Sequence, residues 1–447
     1  MSWQARASAD GWRGVIGTDF TPATAAVLAS RVVKAVDSKR VLVGYDCREG
    51  GADAAQAVVS AAVAAGAAEV RLVAHLPTPT ATAAVRLGLV DLALLITASH
   101  NPAHFNGLKV KVAPGGPLPR AVEAAIETAD PGPVTAAPDP VPAEPLAPWL
   151  DAHMADVLSR LSARSELSVV VDGLGGIAGA PFAEFAGRLG WRALSVDGGP
   201  APDFGRLVPD PTIPAARQRA RDRVVAERAD LGVVLDGDGD RVYLLDHRGA
   251  TVYPHELLAL LLAHREPGVG LGVTAASGTA ARAVAARLGI PVHEVGIGFK
   301  HLSPLLAAGE VDAAGGGVGD LGFAEFGTDR DPFAVAVLLA DLLATSGRPL
   351  AALVDDLRAE VGPLTWFEYL VAGRSAVDLT ELGHRALAVA GQAGAVTGVT
   401  TVDGVKFWLD GGQWLLLRAS TTEGGIRVYG ETRDQGVPAV LVDAIRR

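Results

Sequence analysis

A single cysteine, Cys47, in 447 residues excludes an intrachain disulfide and any cysteine-based metal cluster. This suits a reducing cytoplasm, the expected location, and Cys47 reads as a small packed residue rather than a reactive thiol. No uninterrupted apolar stretch reaches the roughly 18 residues that a membrane span needs, and the N-terminus shows no charged-then-apolar leader. Neither secretion nor a membrane partner is expected. Basic runs interleaved with aromatics are also missing, and 39 Lys+Arg stand against 50 Asp+Glu for a formal net charge of −11. A nucleic-acid partner is therefore not expected. Anionic ligands must be met by local cations, and the candidates are Arg13, Lys109 with Lys111, Lys300, and Arg418 with Arg427.

What is present is an alternation of short apolar strands and alanine-rich helices. Strands at Arg40–Tyr45, Val70–Ala74 and Leu92–Ile96 around helices near Asp53–Ala65 and Thr80–Leu87 predict a first α/β domain over 1–132, with a sheet covered on both faces. The Pro-, Ala- and acid-rich segment Asp130–Pro148 reads as a stiff linker. Strands at Leu167–Val171, Arg192–Val196 and Leu231–Leu235, with a helix at Ile213–Arg228, predict a second unit over 149–250. Gly270–Thr274, Thr279–Leu288, Val292–Val295 and an apolar helix within Asp331–Ala344 predict a third over 251–355. After Pro363 four closely spaced strands and two helices predict a smaller α+β domain over 363–447. No repeat is visible in the sequence itself.

Two strand exits carry chemistry. Leu92–Ile96 runs into Thr97-Ala98-Ser99-His100-Asn101-Pro102, where a serine hydroxyl beside a histidine is compatible with a nucleophile or phosphoryl carrier, although taken alone such a pair more commonly caps or bends a turn; the second exit reverses that balance. Leu231–Leu235 runs into Asp236-Gly237-Asp238-Gly239-Asp240-Arg241. Carboxylates at alternate positions with glycines between them can turn three oxygens toward one point, where their repulsion calls for a hard cation, Mg²⁺ or Ca²⁺ rather than zinc. The loop lacks the length and closing glutamate of an EF-hand.

Together these motifs resemble the active-serine and metal loops of the α-D-phosphohexomutase superfamily, the phosphoglucomutases and phosphomannomutases. Further segments agree in order: Gly11-Trp12-Arg13-Gly14, Gly44-Tyr45-Asp46-Cys47-Arg48, Pro77-Thr78-Pro79-Thr80, Asn106-Gly107-Leu108-Lys109-Val110, Val295-Gly296-Ile297-Gly298-Phe299-Lys300, and Arg418-Ala419-Ser420-Thr421-Thr422-Glu423 with Arg427. The resemblance implies three similar mixed α/β domains and a smaller C-terminal one around a central cleft. It also implies a phosphoserine at Ser99 and one Mg²⁺ on Ser99, Asp236, Asp238 and Asp240, with a sugar 1,6-bisphosphate as activator and a phosphosugar as partner. His100, Lys109, Arg13 and Arg241 are expected beside the serine. Arg418, Ser420, Thr421, Thr422 and Arg427 are expected to cradle a non-reacting phosphate, and Lys300, His301, Asp320 and Arg330 to face the sugar. A mutase needs two phosphate sites where a phosphatase needs one, so hinge motion of the C-terminal domain is expected. A monomer or homodimer would serve.

One departure stands out. Where the family usually has Gly-Glu-x-Ser-Gly, this chain has Gly315-Gly316-Gly317-Val318-Gly319-Asp320, which should alter sugar recognition. The expected activity is transfer between the 1- and 6-positions of glucose or mannose phosphate. The altered loop leaves open a mutase of a pentose, amino sugar or cyclitol phosphate, or a non-catalytic phosphosugar-binding protein.

Overall fold

The computed structural model describes residues 6–8, 10–130, 140–196, 198–265, 268–373, 378–391, 394–420 and 424–446. Its strands gather into four sheets, one for each expected unit. In the first, Leu92–Ile96, Arg40–Tyr45 and Glu69–Ala74 run parallel, and Phe105–Val112 and Gly11–Val15 extend the sheet antiparallel. The sheet is therefore mixed. Residues alternate along these strands between two cores. Val41, Val43, Leu92, Leu94 and Ile96 pack with the helices Pro22–Val36 and Gly51–Ala64, while Leu42, Ala93 and Leu95 pack with Thr78–Arg86. Burial on both faces is what makes Leu92–Ile96 a continuous apolar run.

The repeat invisible in the sequence appears in the topology. In each of the first three sheets a parallel strand ends in a loop and returns as an antiparallel neighbour. Leu92–Ile96 returns as Phe105–Val112, Leu231–Leu235 as Val242–Asp246, and Ala313–Gly315 as Leu321–Phe323. The serine loop, the carboxylate loop and the glycine loop thus hold equivalent places, and all three meet. Val242 N–H donates to the Gly319 carbonyl at 3.0 Å, joining the carboxylate and glycine loops, and Ser99 Oγ donates to Asp236 Oδ2 at 2.6 Å, joining the serine and carboxylate loops.

Differences from the sequence reading follow from local chemistry. Part of the expected linker lies outside the described residues, but Glu144 forms a bridge beside Val73 at the edge of the first sheet. The expected helix from Ile213 begins as a 3₁₀ turn, Pro214–Arg217, before the α-helix Gln218–Glu227. Helix Leu350–Val361 straddles the expected limit at 355 and packs on Pro254–His264 and Thr279–Leu288. Among the described residues no single helix is long and apolar enough to cross a membrane. Cys47 is buried, and burial with the nearby Asp46 pushes its thiol up to about 12, which disfavours the reactive thiolate.

Buried polar bolts join the units. The His153 ring lies 3.2 Å from Thr80 Oγ1 and 2.8 Å from Asp331 Oδ2, linking the first three units. Despite its resemblance to a hydrolytic triad, its threonine and histidine are fully buried. The C-terminal sheet is antiparallel throughout, and it docks on the third unit through Trp366 Nε1 to the Ala276 carbonyl and through Glu431, which accepts from Thr279 N–H and is held by Trp414 of its own sheet. Lys406 reaches the Ala275 carbonyl at 2.8 Å from between the rings of Trp408 and Trp414.

Burial, aided by Arg282, lowers the Lys406 ammonium to about 7. Because the folded value lies below the unfolded one, the cost of burying the charge is full below pH 7 and fades as pH rises toward the ordinary lysine range. Stability should rise by on the order of a few kcal/mol across that window. Thermal unfolding of Lys406→Met between pH 6.5 and 9.5 should lack this component; a slope equal to that of wild type would refute it.

Candidate active site

Ser99 sits on a turn in the left-handed region, with φ of 54°, a conformation a serine adopts only when its surroundings impose it. Those surroundings are supplied mainly by Arg48. Its guanidinium donates to the carbonyls of Ser99 (2.7 Å), Asn101 (2.8 Å), Pro102 (2.7 Å) and Phe105 (2.9 Å), and is itself held by Asp46 at 3.0 Å. Thr97 Oγ1 donates to Asp46 and accepts from Ser99 N–H. The hydroxyl is left pointing at the second unit, where Ser99 Oγ donates to Asp236 Oδ2 at 2.6 Å.

Asp236, Asp238 and Asp240 each turn a carboxylate oxygen inward, all within 4.8 Å of one another, and all three side chains are buried. The loop must pass very close to the serine turn. A Cβ on Gly237 would come 2.7 Å from the Ser99 carbonyl oxygen, so only glycine fits. Burial, then the charges of Asp238 and Asp240, push the Asp236 carboxyl up to about 8. Asp240 moves the other way: Arg330 and Lys109 outweigh burial and hold it well below the usual carboxylate range.

The residues fit a divalent cation. Asp238 Oδ1 and Asp240 Oδ1 are buried without a hydrogen-bond partner, the donor set is all oxygen, and the crowding that raises Asp236 is what a cation would relieve.

Positive charge surrounds this nest. Lys109 Nζ lies 2.6 Å from Asp238 and is also paired with Asp240 and Asp10. These carboxylates outweigh burial and raise its ammonium above the ordinary value. Arg13 donates to Asn101 Oδ1 at 2.5 Å, and burial together with Arg241 lowers it to about 10. His100 Nδ1 lies 3.4 Å from Ser99 Oγ; burial, then Arg241 and Arg13, push its imidazolium well below the ordinary histidine value.

The matches to known proteins follow the same order along the chain. The phosphoglucomutase/phosphomannomutase α/β/α domain I matches residues 6–129, domain II 147–249 and domain III 253–361. The chain belongs to this family. It is thus a phosphohexomutase, an isomerase. A phosphoglucosamine mutase from Methylobacillus flagellatus is 29% identical, covering 98% of this chain and 96% of the relative. One from Frankia casuarinae is 31% identical, covering 94% and 93%. The crystal structure of a candidate phosphomannomutase from Thermus thermophilus has a TM-score of 0.83 at 26% identity, covering 100% of this chain and 99% of that one.

Within this phosphohexomutase the expected sugar-facing residues separate. Arg330 lies beside the three-carboxylate cluster. Its guanidinium is buried and donates to Asp10 and Asp240, both at 2.6 Å, so it supports a carboxylate of the cation nest. Lys300 is half-buried and reaches Glu123 of the first unit at 3.4 Å, and His301 is half-buried beside it, against Gly296. Asp320 does lie in the altered loop. A Cβ on Gly316 would meet its carboxylate oxygens at 2.7 and 2.8 Å, so Asp320 fills the space over the glycine and leaves no room for a longer side chain there. Burial raises the Asp320 carboxyl, against Arg241 and Arg330.

On the C-terminal sheet Arg418 and Arg427 stand directly opposite each other on adjacent strands, and Ser420 N–H donates to the Gly425 carbonyl. Thr421 and Thr422 lie outside the described residues. Sequence reasoning missed Arg48, Thr78 and Asp10 as parts of the site. The first two fall inside segments that carried the family resemblance, but only their hydrogen bonds, such as Thr78 Oγ1 to Asp238 at 2.8 Å, reveal what they hold.

Proposed function

We propose that the chain moves a phosphoryl group between the 1- and 6-positions of a hexose phosphate through phosphorylated Ser99 and a hexose 1,6-bisphosphate. The observation that carries this reading is the Ser99 hydroxyl, 2.6 Å from Asp236 in a nest of three buried carboxylates. A sugar hydroxyl attacks the phosphorus, the bond from phosphorus to Ser99 Oγ breaks, and the hydroxyl proton passes by way of the His100 ring to the departing Ser99 oxygen, 3.4 Å from Nδ1. Lys109, Arg13 and Arg241 offset charge on the transferring oxygens. Asp236, Asp238, Asp240 and the serine oxygen would hold Mg²⁺, which supplies charge neutralisation and a template for in-line transfer. Arg418, Arg427 and the hydroxyls of their loop hold the opposite phosphate. After the bisphosphate turns around, the same steps run in reverse and Ser99 is phosphorylated again. Hinge motion of the C-terminal domain would give the intermediate room to turn.

A second reading, a hexosamine phosphate as substrate, is favoured by the names of the curated relatives. The test is a direct assay of isomerisation of glucose 1-phosphate, mannose 1-phosphate and glucosamine 6-phosphate with Mg²⁺ and glucose 1,6-bisphosphate. Turnover of glucose or mannose phosphate is expected. Turnover of glucosamine 6-phosphate alone selects the second reading, and none on any of the three overturns the 1,6-mutase proposal.

A further inference from the structure

Arg418 and Arg427 face each other across neighbouring strands, a like-charge pairing that is unfavourable unless anions accompany it. Each has one. Arg418 Nε donates to Asp403 Oδ1 at 2.7 Å, and Arg427 Nη1 to Glu368 Oε1 at 2.5 Å. Among the described residues two guanidinium charges stand against two carboxylates, an arrangement in which a phosphate dianion must compete for the forks.

The two carboxylates are held differently. The second oxygen of Asp403 accepts the backbone N–H of Ile297 at 2.8 Å, which ties it to the third unit. Glu368 lies on Thr365–Ala372, where its register places it diagonally across from Arg427 and directly opposite Tyr429. Its polar neighbours within the sheet are Arg427 and the Tyr429 hydroxyl. Burial and the nearby charge of Asp210 both disfavour its ionised form, whereas Arg427 and Arg241 favour it. Asp210 and Arg241 belong to the second unit, so Glu368 stands where the C-terminal sheet meets the cation-nest unit.

We infer that Glu368 is a displaceable counter-anion: it occupies the Arg427 fork until the distal phosphate of the substrate takes its place, and so sets the affinity of that phosphate site. It is a positioning residue, acting through Arg427. The inference rests on the phosphate-clamp role proposed for Arg427. Competition at the fork weakens binding of the ground state and of the bisphosphate alike, which would let the intermediate leave the clamp and turn around.

Glu368→Gln keeps the shape and removes the charge. Competitive inhibition by inorganic phosphate, and KM for the phosphosugar, should both tighten by ~10-fold, the scale of one charge-assisted hydrogen bond. The rate constant kcat should stay level or fall as release slows, and Arg427→Met should abolish the gain. A residue that merely orients Arg427 predicts the opposite: weaker phosphate binding in Glu368→Gln. That result, or no change, overturns the inference. Should the glutamine variant fail to fold, Glu368→Asp, whose carboxylate is one methylene short of the fork, is expected to tighten phosphate in the same direction. Calorimetry with inorganic phosphate needs no turnover, so tightening that depends on Arg427 would sustain the inference even if no phosphosugar were isomerised.

Discussion

Ser99→Ala is expected to abolish both the phosphate adduct and isomerisation, with a loss of at least ~10⁴-fold in kcat, because no other group stands where the hydroxyl does. Intact mass after incubation with glucose 1,6-bisphosphate should show one phosphate on the wild type and none on the variant. The fold should survive. Ser99 is buried, but the turn is held through its backbone by Arg48 and Thr97 rather than through its hydroxyl. A variant that keeps the adduct, or retains more than about a hundredth of the rate, would show that phosphoryl transfer does not pass through this oxygen.

Asp238→Asn should lower turnover by ~10³-fold and weaken binding of the cation. The two effects share a cause. Three buried carboxylates repel one another, and that repulsion raises Asp236 toward neutrality. Removing one charge relieves the crowding and the cation affinity together, and the amide oxygen still accepts from Thr78. Mg²⁺ should raise the unfolding temperature of the wild type by mass action and leave that of the variant almost unchanged, and a chelator should silence the wild type reversibly. Equal Mg²⁺ stabilisation of both proteins would remove Asp238 from the ligand set.

Much of this site was legible because its chemistry is local. Asp236, Asp238 and Asp240 announce themselves by spacing, and Ser99 by its place at the end of a wholly apolar strand. The supporting shell was not legible. Arg330 looks like any cation near a glycine loop, yet it pairs with Asp10, 320 positions away. Lys406 reads as a polar residue on a short strand, yet it is stacked between two tryptophans under the C-terminal domain. Glu368 carries no motif at all, and its role comes from a diagonal across two antiparallel strands.

The sequence by itself determined the kind of chemistry and the alternation of strands and helices, since strand period, turn glycines and carboxylate spacing act over a few residues. Only the tertiary structure decided that three loops far apart along the chain become equivalent hairpin ends meeting at one point, and which charge neutralises which. Pairing energies between distant groups depend on distances of a few ångströms and on the exclusion of water, and neither is encoded until the chain has closed around them.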